Sequence, residues 1–156
     1  MKHDDIMAFA ISEAREGRMR RDGGPFGAVI VRDGEIIAAC HNTVLATHDA
    51  TAHAEINAIR AACEKLGRCH LGDCELYTSC EPCPMCLGAI YWARLKAVWY
   101  AASRDDAAAA GFGDAEFYEE IAKPASERKI RFEQIKTRKD DAASMMRGWG
   151  DAPLAY

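Results

Sequence analysis

No stretch of the sequence approaches the ~20 apolar residues needed to cross a bilayer, which excludes a helical membrane span. An excess of basic charge is also missing. Lys and Arg number 20 against 24 Asp and Glu, a net charge of −4, so the chain lacks the footprint of a protein that grips phosphate backbones. No internal repeat, low-complexity tract or linker interrupts it, and the chain opens Met1-Lys2-His3-Asp4 without an apolar signal segment. The expectation is one domain over 1–156 in the reducing cytoplasm. What the chain does have is 49% hydrophobic and 28% charged residues in 156, enough to bury a core without covalent staples. Its seven cysteines are an odd number, so a fully paired disulfide framework does not account for them.

The apolar period over Ile6 to Ala14, ending at Gly17, predicts an opening helix. Val29 to Val31 and Ile36 to Ala39, joined through Asp33-Gly34, predict a hairpin. A second helix is expected from Ala52 to Leu66 and a third from Pro84 to Arg94, with strands at Glu75 to Thr78 and Ala97 to Tyr100. Ala107 to Ala110 favours helix but Gly111-Phe112-Gly113 breaks it, so residues 102–114 read as loop; Phe117 to Ala122 reads as a short helix, Ile130 to Ile135 as an alternating strand, and Asp141 to Arg147 as helix. Strands alternating with helices after a hairpin imply a mixed sheet with helices on both faces.

Two separated motifs hold the chemistry. His53-Ala54-Glu55 opens the second helix, and Pro82-Cys83-Pro84-Met85-Cys86 opens the third. Loops at the carboxyl ends of strands in an open α/β sheet converge, so His53, Cys83 and Cys86 can meet on one Zn2+ ion. Two thiolates and one imidazole leave a fourth position for water, as catalytic rather than structural zinc sites do. Glu55 is the candidate proton carrier beside it. The pair of motifs matches the known zinc-deaminase signature H-x-E followed by P-C-x-x-C. Cys80 leaves open a closed site with Cys83, Cys86 and a fourth thiolate. Cys40, Cys63, Cys69 and Cys74 read as buried small apolar side chains.

Over nearly its whole length the chain resembles the cytidine deaminase-like superfamily, and within it the small bacterial guanine deaminases. The resemblance runs through 23–31 (GGPFGAVIV), 51–55 (TAHAE), 76–94 (LYTSCEPCPMCLGAIYWAR), 111–114 (GFGD) and the terminal Tyr156. It implies a three-layer α/β/α fold with a five-stranded mixed sheet, and hydrolysis of guanine to xanthine and ammonia. It also implies that Asn42 hydrogen-bonds the purine, Phe26 stacks on it, Trp92 covers the pocket, and Asp114 sits near the exocyclic amine as a second catalytic carboxylate that shares proton transfer with Glu55. A homodimer follows from the same source, with a C-terminal segment that can cross to the neighbouring subunit so that Tyr156 closes its site. Plainer readings stay open: Phe26 or Trp92 as core, Asn42 as a turn residue, Asp114 as a helix cap, Tyr156 as a frayed end.

The expected partner is a small purine, with no nucleic acid and no membrane. Rival substrates are adenosine in transfer RNA, guanosine, cytosine or another aminated heterocycle. A zinc-stabilised nucleic-acid-binding module without turnover is the non-enzymatic alternative. Such a module has no use for Glu55 beside an open coordination site.

Overall fold

The computed structural model describes residues 1–151, and Tyr156 lies outside them. The chain divides into two compact units, 1–114 and 115–156. In the first, α1 (His3–Arg20) leads into the hairpin β1 (Gly27–Arg32) and β2 (Glu35–His41), then a single turn α2 (Val44–Thr47) and α3 (Ala54–Leu66). β3 (Cys74–Cys80), α4 (Pro84–Trp92), β4 (Ala97–Ala102) and α5 (Arg104–Ala109) complete it.

The hairpin forms where the sequence signals it, because Asp33 (φ 51°) and Gly34 (φ 80°) supply the two left-handed residues that a tight two-residue turn requires. The sheet order is β2-β1-β3-β4, with β1 antiparallel to both neighbours and β3 parallel to β4. β1 is central and covered on both faces, so its sequence is continuously apolar rather than alternating. On one face Ile6 and Ala10 of α1 pack on Val29, Val31 and Tyr77. On the other, Ala54, Ala58 and Ala62 of α3 pack with Ile90 of α4 on Ala28, Ile30 and Leu76. α1 comes so near that a Cβ on Gly27 would lie 2.1 Å from the carbonyl oxygen of Ala10. The mixed sheet with helices on both faces therefore agrees with the expectation.

Its strand count does not. The sheet has four strands, not five, among the described residues. Residues 131–135 have no regular structure, and Ile130, Phe132 and Ile135 are exposed. Alternating hydrophobicity describes a half-buried strand only where a partner ladder exists to receive it. The expected loop at 102–114 holds α5, capped by Ser103: its Oγ accepts from the Asp106 amide at 3.2 Å, and Asp106 Oδ2 accepts from the Ser103 amide at 2.8 Å.

The second unit contains α6 (Ala115–Ala122) and α7 (Lys139–Arg147). Glu120 closes the end of α6 by accepting from Lys123 Nζ at 2.6 Å and from the Lys129 amide at 2.7 Å.

Candidate metal centre and active site

The order β3-α4 delivers Cys83 and Cys86 to the carboxyl end of the sheet, and the chain leaving β2 delivers His53 and Glu55 to the same place. His53 is the N-cap residue of α3 and Cys83 that of α4, where Pro84 begins the helix without needing its amide. Neither side chain caps its own helix, so both are free to turn inward. His53 Nδ1 lies 3.6 Å from Cys83 Sγ and 3.5 Å from Cys86 Sγ. All three donor atoms fall within 4.8 Å of one another.

Zinc fits this set. Zn–S and Zn–N bonds of about 2.3 and 2.0 Å meeting at a tetrahedral angle place nitrogen and sulfur about 3.5 Å apart, as found here. Electrostatics prepare the same donors. The Cys86 thiol beside Cys83, then the His53 imidazole, hold the Cys83 pKa down to about 4. The Cys83 thiolate and burial push Cys86 the other way, so without metal Cys86 keeps the proton it shares. Hydrogen bonding to Cys83 raises His53. Binding zinc to such a set releases protons.

Glu55 stands beside the ligands in the first turn of α3, only 6% exposed. Its Oε1 accepts from Thr78 Oγ1 of β3 at 3.3 Å, and Oε2 lies 3.5 Å from Cys86 Sγ. Burial raises its pKa, which suits a group that must hold and release a proton. Cys80 is outside the donor group; it is buried, its thiol directed at the Ser103 carbonyl at 3.7 Å.

Asn42 is 4% exposed and fixes the neighbouring loop: its Oδ1 accepts from the amides of Gly24 at 3.2 Å and Val44 at 3.1 Å. Its backbone amide donates to the Phe26 carbonyl at 3.0 Å. With the carbonyl oxygen committed twice, the orientation of the side chain is assigned and its NH2 remains as a donor. Phe26 packs partly on the core and meets Phe112 edge to face, centroids 5.1 Å apart. Both rings and Cys80 border a cavity of 310 Å³ beside α1, whose lining includes none of the three metal donors. Asp114 Oδ1 lies 3.3 Å from Arg104 Nε. Trp92 ends α4 with 69% of its surface exposed.

Thr78 and Phe112 were not singled out by sequence. A lone threonine in the otherwise apolar core of β3 was the available signal for the first. Of the four cysteines expected as buried fillers, Cys74 is buried, Cys40 and Cys63 are half-buried, and Cys69 is exposed.

An α/β/α sandwich presenting two cysteines, one histidine and a buried glutamate at its strand ends defines a zinc-dependent hydrolytic enzyme. The sequence profile of the cytidine and deoxycytidylate deaminase zinc-binding region matches residues 1–102, and the chain belongs to that family. It is 60% identical to a guanine deaminase of Bacillus subtilis over 135 residues, 86% of each chain. The X-ray structure of guanine deaminase from that organism superposes with a TM-score of 0.95 at 53% identity, covering both chains fully. A tRNA-specific adenosine deaminase of Agrobacterium fabrum is 46% identical over 97 residues, 62% of this chain and 63% of that protein.

Proposed function

We propose that this chain is a hydrolytic deaminase that converts guanine to xanthine and ammonia. The observation that carries the reading is the buried Glu55 set against an incomplete tetrahedral donor set of His53, Cys83 and Cys86. Full-length similarity to a guanine deaminase supports the choice of base.

Zinc held by those three residues supplies Lewis acidity and an activated water at neutral pH. Glu55 takes a proton from the attacking water and delivers it to N3 as the hydroxyl bonds to C2, adding water across C2=N3. Glu55 then carries the hydroxyl proton to the 2-amino group; the C2–N bond breaks with its electron pair on nitrogen, ammonia leaves and C2=O remains. Thr78 holds the carboxyl in place for both transfers. The Asn42 NH2 recognises an acceptor on the purine edge, since its oxygen is already used. Phe26, braced by Phe112, supplies the stacking face. Asp114, paired with Arg104, acts as an acceptor for the amino hydrogens.

The same reading places one domain's function over 1–156 and the enzyme in a reducing cytoplasm, where Cys83 and Cys86 stay available to metal. It makes the enzyme a homodimer, with the exposed Leu87, Tyr91 and Trp92 of α4 offering apolar surface to a partner. The C-terminal segment then crosses so that Tyr156 closes the neighbouring subunit's pocket.

The test is ammonia release from guanine, guanosine, adenine, cytosine and a transfer RNA anticodon stem-loop by the zinc-loaded protein. Release from guanine is expected. Release from the RNA and not from guanine overturns the substrate.

A further inference from the structure

His41 ends β2 directly before Asn42, and its side chain, 13% exposed, lies between two carboxylates. Nδ1 faces Glu13 Oε2 of α1 at 3.3 Å, and Nε2 faces Asp22 Oδ2 at 2.9 Å. Each ring nitrogen has a carboxylate within reach, and the ring N–H donates to a charged acceptor in either tautomer. Gly17 lies against the ring: a Cβ there would come 2.7 Å from His41 Cδ2, so α1 reaches the imidazole only because residue 17 has no side chain.

The ring thus joins α1 and the loop before β1 to the end of β2. Asp22 extends that tie, its carbonyl accepting from the amides of Leu45 and Ala46 at 2.9 Å each. Two residues on, the Gly24 amide is held by Asn42 Oδ1, and a Cβ on Gly23 would lie 2.0 Å from the same oxygen. Phe26 closes the circuit through its carbonyl, which accepts from the Asn42 amide. The His41 carbonyl meanwhile accepts from Asn57 Nδ2 at 3.0 Å, on the helix that holds Glu55. The 22–26 loop has no strand ladder of its own, so these contacts set where Asn42 and Phe26 sit.

We propose that His41 is a positioning residue for base recognition: gripped by Glu13 and Asp22, it holds Asn42 and Phe26 in the arrangement that receives the purine. This rests on the reading of Asn42 and Phe26 as base-binding residues. A residue of this kind affects ground-state and transition-state binding alike, so its removal raises KM and spares kcat.

The experiment compares zinc-loaded wild type with His41→Phe, which keeps a planar ring, and with the near-isosteric Asp22→Asn, which disturbs folding less. Amide hydrogen exchange without substrate is read at Gly24, Asn42 and Val44, with Ile30 and Leu76 of the core as reference, beside steady-state kinetics on guanine. Exchange at the three loop amides is expected to rise about tenfold or more with the core amides unchanged. KM is expected to rise about tenfold, the scale of one charge-assisted hydrogen bond, with kcat within about twofold. His41→Gln, which retains a side-chain donor, should recover part of the KM loss. Unchanged loop exchange in both variants overturns the proposal, as does a fall in kcat at constant KM. If wild type does not deaminate guanine, the substrate reading fails separately, and the substrate-free exchange result still decides whether His41 holds the loop.

Discussion

Replacing Thr78 by valine removes one hydroxyl and almost nothing else, which makes it a clean probe of Glu55. Thr78 is 1% exposed, and its Oγ1 donates to Glu55 Oε1 at 3.3 Å. Valine has nearly the same shape, so no cavity opens and the metal donors stay where they are. A hydrogen bond to a charged group contributes about 1.5–3 kcal/mol, and a 3.3 Å contact belongs at the lower end. A loss of about 1.5 kcal/mol in the transition state is roughly tenfold in kcat. The bond also favours the ionised carboxylate, so losing it moves the already raised Glu55 pKa further up and shifts the acid limb of the pH–rate profile to higher pH. Steady-state assays across pH with zinc measured in each sample read both effects. An unchanged kcat and acid limb at full zinc content would refute the role given to Thr78 in holding the Glu55 carboxyl.

Glu55→Gln should lower kcat by about 10²–10⁴ while zinc remains bound, measured by ammonia release and metal analysis. In metal-free protein the same change should raise the melting temperature at pH 7. Burial raises the folded-state pKa of Glu55, so its stabilising contribution is present below the unfolded-state value and is lost as pH rises through the folded one; the difference from glutamine closes on acidification. Cys83→Ala should lose the metal, since it removes one of three protein ligands, and chelation of wild type should abolish an activity that zinc restores. Gly27→Ala should cost about 1–3 kcal/mol by forcing a Cβ against the Ala10 carbonyl, lowering the melting temperature by roughly 3–10 °C in a calorimetric scan.

The parts of this architecture that local chemistry dictates were readable in advance. Asp33-Gly34 specified the hairpin turn, Gly67 the end of α3, and the two motifs the metal donors, because each depends on residue type at fixed spacing. Where partners matter, the reading failed. Ile130 to Ile135 alternates like a strand but meets no ladder, and Cys69 is apolar by type yet exposed. α5 was hidden by Gly111 and Gly113, which follow it, although Ser103 and Asp106 already spelled its cap. Thr78 and His41 gain their importance from Glu55, Glu13 and Asp22, residues 19–28 positions away. No local pattern encodes such pairs.

Zinc K-edge absorption on the purified protein tests the central claim most directly. Two sulfur scatterers near 2.3 Å, one imidazole nitrogen near 2.0 Å and one further light atom are expected, lost together in Cys83→Ala. A four-sulfur shell, or a protein that binds no zinc while remaining folded and active, would contradict the account.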